Sequence, residues 1–149
     1  MLKVRCQANA TLDPKGRLAL PAPLKRALGE SDVSQLVLAF HKGAVWGMTP
    51  HDFEEQVERR LEQQDPFAAD VLDFAHAMLS TAQDVKVDNN GRILLPPILR
   101  KLAGLDREIV VSSLLSRIEI WDAQAWDKRF EVALERAAAA SGMPRGEAW

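Results

Sequence analysis

Two stretches of this chain are near copies of one another. Thr11–Pro21 reads TLDPKGRLALP and Lys86–Pro96 reads KVDNNGRILLP. Asp13, Gly16, Arg17, Leu20 and Pro21 thus return 75 residues later as Asp88, Gly91, Arg92, Leu95 and Pro96. The likeness runs on through Leu24/Leu99, Lys25/Arg100, Arg26/Lys101 and Gly29/Gly104. The offset then shortens by two: Leu36–Phe40 faces Ile109–Ser113, and Val45–Phe53 faces Ile118–Trp126, a difference that one loop can absorb. Self-similarity over such a span marks a duplication. It constrains the fold strongly, because four short strands and a two-turn helix bury too little alone. Two copies in one chain can complete each other about a pseudo-two-fold axis, and 149 residues suffice for such a pair.

Each copy reads alike. An alternating strand enters D-x-x-G, whose Asp and Gly suit a tight turn. A short aliphatic strand follows and stops at Pro. A helix of about two turns comes next, APLKRALG or PILRKLAG, with Pro early and Gly as its C-cap. Two hairpins are expected: Leu36–Phe40 with Ala44–Met48 around HKG, and Glu108–Ser113 with Arg117–Trp121 around LLS. A longer helix ends each copy. In the first, Thr49 is the expected N-cap and Asp52 the capping-box acid, with Phe53, Val57 and Leu61 on one apolar face. In the second, Asp122 caps, and Trp126, Phe130 and Leu134 repeat the spacing. Asp65-Pro66 opens a linking helix whose apolar side is Phe67, Val71, Phe74, Met78 and Leu79.

The expected architecture is α+β: two β-hairpin repeats forming a pseudo-two-fold β-barrel with flanking helices. Repeat 1 spans 3–53 and a helical connection 54–82. Repeat 2 spans 83–126, a C-terminal helix 127–140, and an unpacked, disordered tail 141–149.

Composition narrows the function. With 47% apolar and 27% charged residues the balance is that of a soluble globular chain, and no run is long enough for a signal peptide or a transmembrane span. One cysteine, Cys6, makes no internal disulfide, so a reducing cytoplasm is expected. It shares an alternating face with Val4, Ala8 and Ala10 and reads as a buried small hydrophobe. The net charge of −2 hides a polarity. Residues 1–30 carry Lys3, Arg5, Lys15, Arg17, Lys25 and Arg26 against Asp13 and Glu30, a net of +4. Residues 51–84 carry nine acids against Arg59 and Arg60, a net of −7. A basic head asks for an anionic partner. The acidic run from Asp52 to Glu62 reads as a solvated face, and Trp46, Trp121 and Trp126 read as packing or subunit contacts.

No catalytic set assembles. His41, His51 and His76 lack ligand spacing, no Gly-rich phosphate loop occurs, and no nucleophile–base pair stands out. The expectation is a non-enzyme with no cofactor, no metal and no small-molecule substrate. In the repeated turn, Asp13 and Gly16, like Asp88 and Gly91, read as turn-builders. Arg17 can pair with Asp13, but a turn is complete without it, and Leu or Thr would extend the strand better. With Lys15 in the same turn, Arg17 suits phosphate or a guanine edge. Arg92 has Asn89 and Asn90 beside it in place of Pro14 and Lys15, and for it both readings stand.

The duplicated LDPKGRLALP and VDNNGRILLP, each followed by a short basic helix, then strands, then the aromatic-led helix EIWDAQAWDKRF, resemble the MraZ family across roughly Lys3 to Ala140. These are bacterial transcriptional regulators related to AbrB-type swapped-hairpin DNA-binding domains. The resemblance implies two AbrB-like halves and side-by-side assembly into homo-oligomeric rings on double-stranded DNA. It further implies binding, for regulation or repression, to tandem short repeats upstream of the division and cell-wall gene cluster. It places Lys15, Arg17 and Arg92 on the DNA and the protein in the cytoplasm at the nucleoid. The rival reading is an antitoxin-like interaction module, with Trp126–Ala140 and its AAAA run as the adhesive segment.

Overall fold

The computed structural model describes residues 2–140 and 142–144, so the expectation of a disordered tail falls largely outside the described residues. The first copy supplies β1 (Gln7–Thr11), β2 (Arg17–Ala19), α1 (Ala22–Glu30), β3 (Gln35–His41) and β4 (Ala44–Met48). Then α2 (Pro50–Phe53) runs through a π-helical turn, Glu54–Glu58, into α3 (Arg59–Glu62), and α4 (Ala69–Thr81) links to the second copy. That copy is β5 (Gln83–Lys86), β6 (Arg92–Leu94), α5 (Pro97–Leu102), β7 (Glu108–Leu114), β8 (Arg117–Asp122) and α6 (Ala123–Ala139). The fold is α+β, with an antiparallel sheet and several helices. The strands make an open six-stranded sheet, β1-β7-β8-β4-β3-β5, and a separate ribbon, β2-β6, rather than one closed barrel.

The strand register obeys the duplication residue by residue. Thr11 faces Glu108, and the equivalent pair, Lys86 with Gln35, also forms. Each copy therefore lends its first strand to the other copy's hairpin. At two places a residue faces its own duplicate: Leu18 faces Ile93 in the ribbon, and Trp46 faces Glu119 in the sheet. The pseudo-two-fold axis passes through both pairs. Between them lies the main core, with Leu18 and Ile93 packed toward Leu38, Val45, Val111, Ile118 and Ile120. Leu18 and Ile93 are fully buried, and truncating Leu18 to Ala costs about 2–5 kcal/mol. A second cluster lies on the sheet's far face, where Met48, Phe53, Val57, Phe74 and Met78 pack under α2 to α4.

Local departures have local causes. The hairpin tip Lys42-Gly43 has both residues at positive φ, as a tight two-residue turn requires. Gly104 ends α5 in the left-handed region, but Gly29 does not end α1: that helix runs on to Glu30, and Asp32 turns left-handed instead (φ 53°). The two extra residues of the first copy are spent there. The linking helix starts at Ala69 because the Asp65 side chain accepts the Phe67 amide (2.9 Å) in a competing local turn, leaving Phe67 88% exposed. Thr49 accepts the Asp52 amide (3.1 Å) and Asp122 those of Gln124 and Ala125, as caps should. Asp52 itself is buried, against the solvated reading of its run, and its carboxylate accepts the Leu2 amide (3.0 Å). Cys6 is only half-buried. The apolar face expected on α6 is uncovered: beyond the Trp121–Trp126–Phe130 ring series, Phe130 is 44% and Leu134 55% exposed.

Candidate nucleic-acid interface

The two turns are built by the same bonds. In the first, Asp13 Oδ1 accepts the amides of Lys15 (2.9 Å) and Arg17 (2.8 Å), and the Gly16 amide reaches the Asp13 carbonyl (2.9 Å). In the second, Asp88 Oδ1 accepts Asn90 and Arg92, both at 2.9 Å, and the Gly91 amide reaches the Asp88 carbonyl (2.9 Å). Gly16 (φ 86°) and Gly91 (φ 73°) supply the left-handed corner. Each Arg then donates through Nε to the second carboxylate oxygen, at 2.6 Å for Arg17 and 3.2 Å for Arg92. The Arg17 amide and then its guanidinium hold the Asp13 carboxyl below the ordinary carboxylate value, and the Arg92 amide, then the Asn90 amide and the Arg92 guanidinium, do the same for Asp88.

Pairing with Asp and reaching outward are thus compatible. Both guanidinium groups are part-exposed, and among the described residues each is tethered through Nε, which leaves the terminal nitrogens' donors for a partner. The ribbon register sets Arg17, Ala19, Arg92 and Leu94 on one face, with Leu18 and Ile93 turned into the core. The two Arg side chains stand diagonally across adjacent strands on that outer face.

One arrangement escaped sequence reasoning. A Cβ on Gly16 would lie 2.6 Å from the Arg100 guanidinium carbon, and a Cβ on Gly91 2.6 Å from Cδ of Lys25. Arg100 and Lys25 are duplicates of one position, and each crosses to the other copy's turn. Reciprocal backbone bonds fix the crossing: the Leu20 amide donates to the Gly91 carbonyl and the Leu95 amide to the Gly16 carbonyl, both at 2.9 Å. Arg100 is pinned further by its Nε bond to the Leu95 carbonyl (3.1 Å). The second turn, poor in charge by sequence, therefore receives a lysine from the first copy. The recurrence of a cation four residues after each Pro was the available signal. Beside the ribbon, a shallow basin of about 1010 Å³ gathers Arg17, Arg92, Arg100, Lys101 and Arg107 with Asp13 and Asp106. Lys15 stays exposed in its turn. The set is a short antiparallel ribbon with Arg17 and Arg92 tethered on one face. The DNA major groove admits such a ribbon, and guanidinium forks match both phosphate and guanine.

Among the described residues no group of His, Cys, Asp and Glu is placed to hold a metal ion, and no helix is long and apolar enough to cross a membrane. A family profile described as "MraZ protein, putative antitoxin-like" matches residues 78–143. Relatives named transcriptional regulator MraZ match most of the chain. The protein of Nitrosospira multiformis is 32% identical over 124 residues, 83% of this chain and 84% of its own. That of Legionella pneumophila strain Corby is 32% identical over 144 residues, 90% of each chain. That of Cutibacterium acnes is 32% identical over 124 residues, again 83% and 84%.

Proposed function

This chain belongs to the MraZ family of transcriptional regulators, and from that premise we propose that it binds double-stranded DNA sequence-specifically through the β2–β6 ribbon. The reading rests on one observation: Arg17 and Arg92 share the outer face of the ribbon, with Arg100 and Lys25 laid over the turns that carry them. In this reading Arg17 and Arg92 address base edges, and Lys15 addresses phosphate. The working unit is the pair of AbrB-like repeats, 3–53 and 83–126, joined by the connection 54–82. The targets are tandem short repeats upstream of the division and cell-wall gene cluster, on the nucleoid, and the effect is repression. A homo-oligomeric ring would set many ribbons on consecutive repeats and raise avidity without new contacts. No step of this activity calls for catalysis or a cofactor.

Mobility shifts test it. Arg17→Ala and Arg92→Ala should each weaken binding to a specific site by about 5- to 150-fold, with a smaller loss on random DNA. Equal losses on both DNAs would reduce the two residues to phosphate contacts. Footprinting upstream of the protein's own gene should protect evenly spaced short repeats, and no protection there would overturn the proposed target.

The α6 face favours a second reading, an antitoxin-like or subunit contact on the segment Trp126–Ala140, because Phe130 and Leu134 lie uncovered. Capture of a stoichiometric non-self protein, lost on Phe130→Ser with Leu134→Ser, would support the antitoxin form.

A further inference from the structure

The pseudo-two-fold axis that leaves the molecule through the ribbon leaves it at the other pole between Trp46 and Glu119. A groove of about 580 Å³ straddles the β4–β8 seam there, and cations dominate its lining. Lys42, Arg60, Arg117 and Arg129 stand against one carboxylate, Glu119. That carboxylate is already committed, since it accepts Arg117 (3.0 Å) and the Trp121 indole N–H (2.9 Å). Burial, then the charges of Lys42 and Arg117, lowers the His41 pKa below its ordinary value despite Glu119, so that ring adds no charge at neutral pH. The groove thus keeps a net positive charge from Lys42, Arg60 and Arg129. The same lining includes Trp46, Val57 and Trp121, so an occupant needs an apolar group as well as acids.

One loop of this chain has both. Between Arg60 and Lys86 the sequence holds no Lys or Arg, and Glu62, Asp65, Asp70 and Asp73 are all exposed. In their midst Phe67 is 88% exposed, the most exposed aromatic residue among those described, so it fills no groove of its own chain. Its place is fixed locally. The Asp65 side chain accepts the Phe67 amide (2.9 Å), and the Ala68 amide donates to the Asp65 carbonyl (3.2 Å), with Pro66 setting φ between them. An exposed aromatic alone says little. An aromatic held on a preformed turn and bracketed by uncompensated acids matches the groove in both charge and apolar character. The acids also exclude nucleic acid as the partner of this loop.

We propose that the Asp65–Asp70 loop of one copy of this chain docks in the β4–β8 groove of a second copy. Phe67 enters among Trp46, Val57 and Trp121, and the loop's carboxylates meet Lys42, Arg60 and Arg129. Loop and groove are different surfaces, so the contact is heterologous: each copy gives one and receives one. The proposal rests on the homo-oligomer part of the reading above and names the two faces that meet. The ribbon and its DNA contacts take no part in it.

Sedimentation velocity on the full chain tests it. The native chain should assemble at about 50 µM, and Phe67→Ser should weaken the contact about 30-fold, as loss of an aromatic anchor does. Lys42→Glu with Arg129→Glu should weaken it from the groove side. Adding Asp70→Lys with Asp73→Lys to that variant should restore assembly, which misfolding would not allow. Mixing the Phe67→Ser chain with the Lys42→Glu, Arg129→Glu chain should give a dimer and nothing larger, because one intact loop and one intact groove remain between them. A mixture that stays monomeric overturns the proposal. So does an unchanged native mass in both variants, which leaves assembly to another face; loss of mass through Phe130→Ser with Leu134→Ser would then place that face on α6. A native chain that stays monomeric overturns the proposal and the homo-oligomer reading together.

Discussion

Replacing each turn glycine by alanine separates two kinds of neighbour. Gly91→Ala places a methyl at φ 73° and 2.6–3.0 Å from the side-chain carbons of Lys25. Lys25 is exposed and flexible, so it moves aside, and the cost is mainly the left-handed backbone, about 1–2 kcal/mol. Gly16→Ala places its methyl at φ 86° and 2.6–2.9 Å from the Arg100 guanidinium. Arg100 is half-buried and its Nε is bonded to the Leu95 carbonyl, so moving it breaks a charge-assisted bond. Part-exposure reduces that bond to about 1–2 kcal/mol, which brings Gly16→Ala to about 2–4 kcal/mol. Urea unfolding at one fixed protein concentration should rank the two variants in that order. In an Arg100→Ala background, the cost of Gly16→Ala should fall to that of Gly91→Ala, a coupling of about 1–2 kcal/mol. Equal costs in the native background, or no relief on removing Arg100, would refute the claim that the second copy's arginine is locked over the first copy's turn.

Acid should loosen the turns. The Asp13 and Asp88 carboxyls are held below the ordinary 3.8, so their contribution is full above that value and is lost as pH falls through the lower folded values. Urea midpoints measured from pH 6 down to about pH 2.5 should therefore fall more steeply for the native chain than for Asp13→Asn with Asp88→Asn; parallel curves would refute this. Glu119→Ala should cost about 2–4 kcal/mol, because it strands the buried Trp121 N–H and removes the counter-charge of Arg117, which at 31% side-chain exposure keeps part of its solvation. A loss under about 1 kcal/mol would show that the network is dispensable.

How much of this was legible in sequence depends on distance along the chain. The turns, hairpins and caps rest on residues a few positions apart. The bonds of Asp13 to Lys15 and Arg17, and of Thr49 to Asp52, lie where their spacing puts them. The crossing of Lys25 and Arg100 was not legible in that way. It depends on which copy's strand pairs with which, and strand alternation is silent on partners. The duplication held that information, since a residue that faces its own duplicate, as Leu18 faces Ile93, fixes the axis and hence every exchanged contact. What covers the apolar side of α6 was not legible for a different reason. A period of about four residues specifies an apolar face but not what covers it, and among the described residues Phe130 and Leu134 find too little cover. Phe67 was misplaced because the local Asp65 bond competes with helix extension, an effect that periodicity ignores.

The two poles of the axis show why a duplication can be both kept and altered. At the ribbon, a change in one copy's cation acts on the other copy's turn: Lys25 of the first copy covers Gly91 of the second, and Arg100 of the second covers Gly16 of the first. Such reciprocal packing couples the copies and favours like residues. At the groove the copies meet through only three register pairs, Val45–Ile120, Trp46–Glu119 and Gly47–Ile118. The outer two pairs face the main core and stay apolar or small, so the main core does not constrain the outward pair, of which Trp46 packs against the second cluster. Trp46 and Glu119 could therefore diverge into an aromatic platform and a carboxylate, with Arg117 holding both. Reciprocal packing favours likeness where the copies interlock and permits divergence where they only abut.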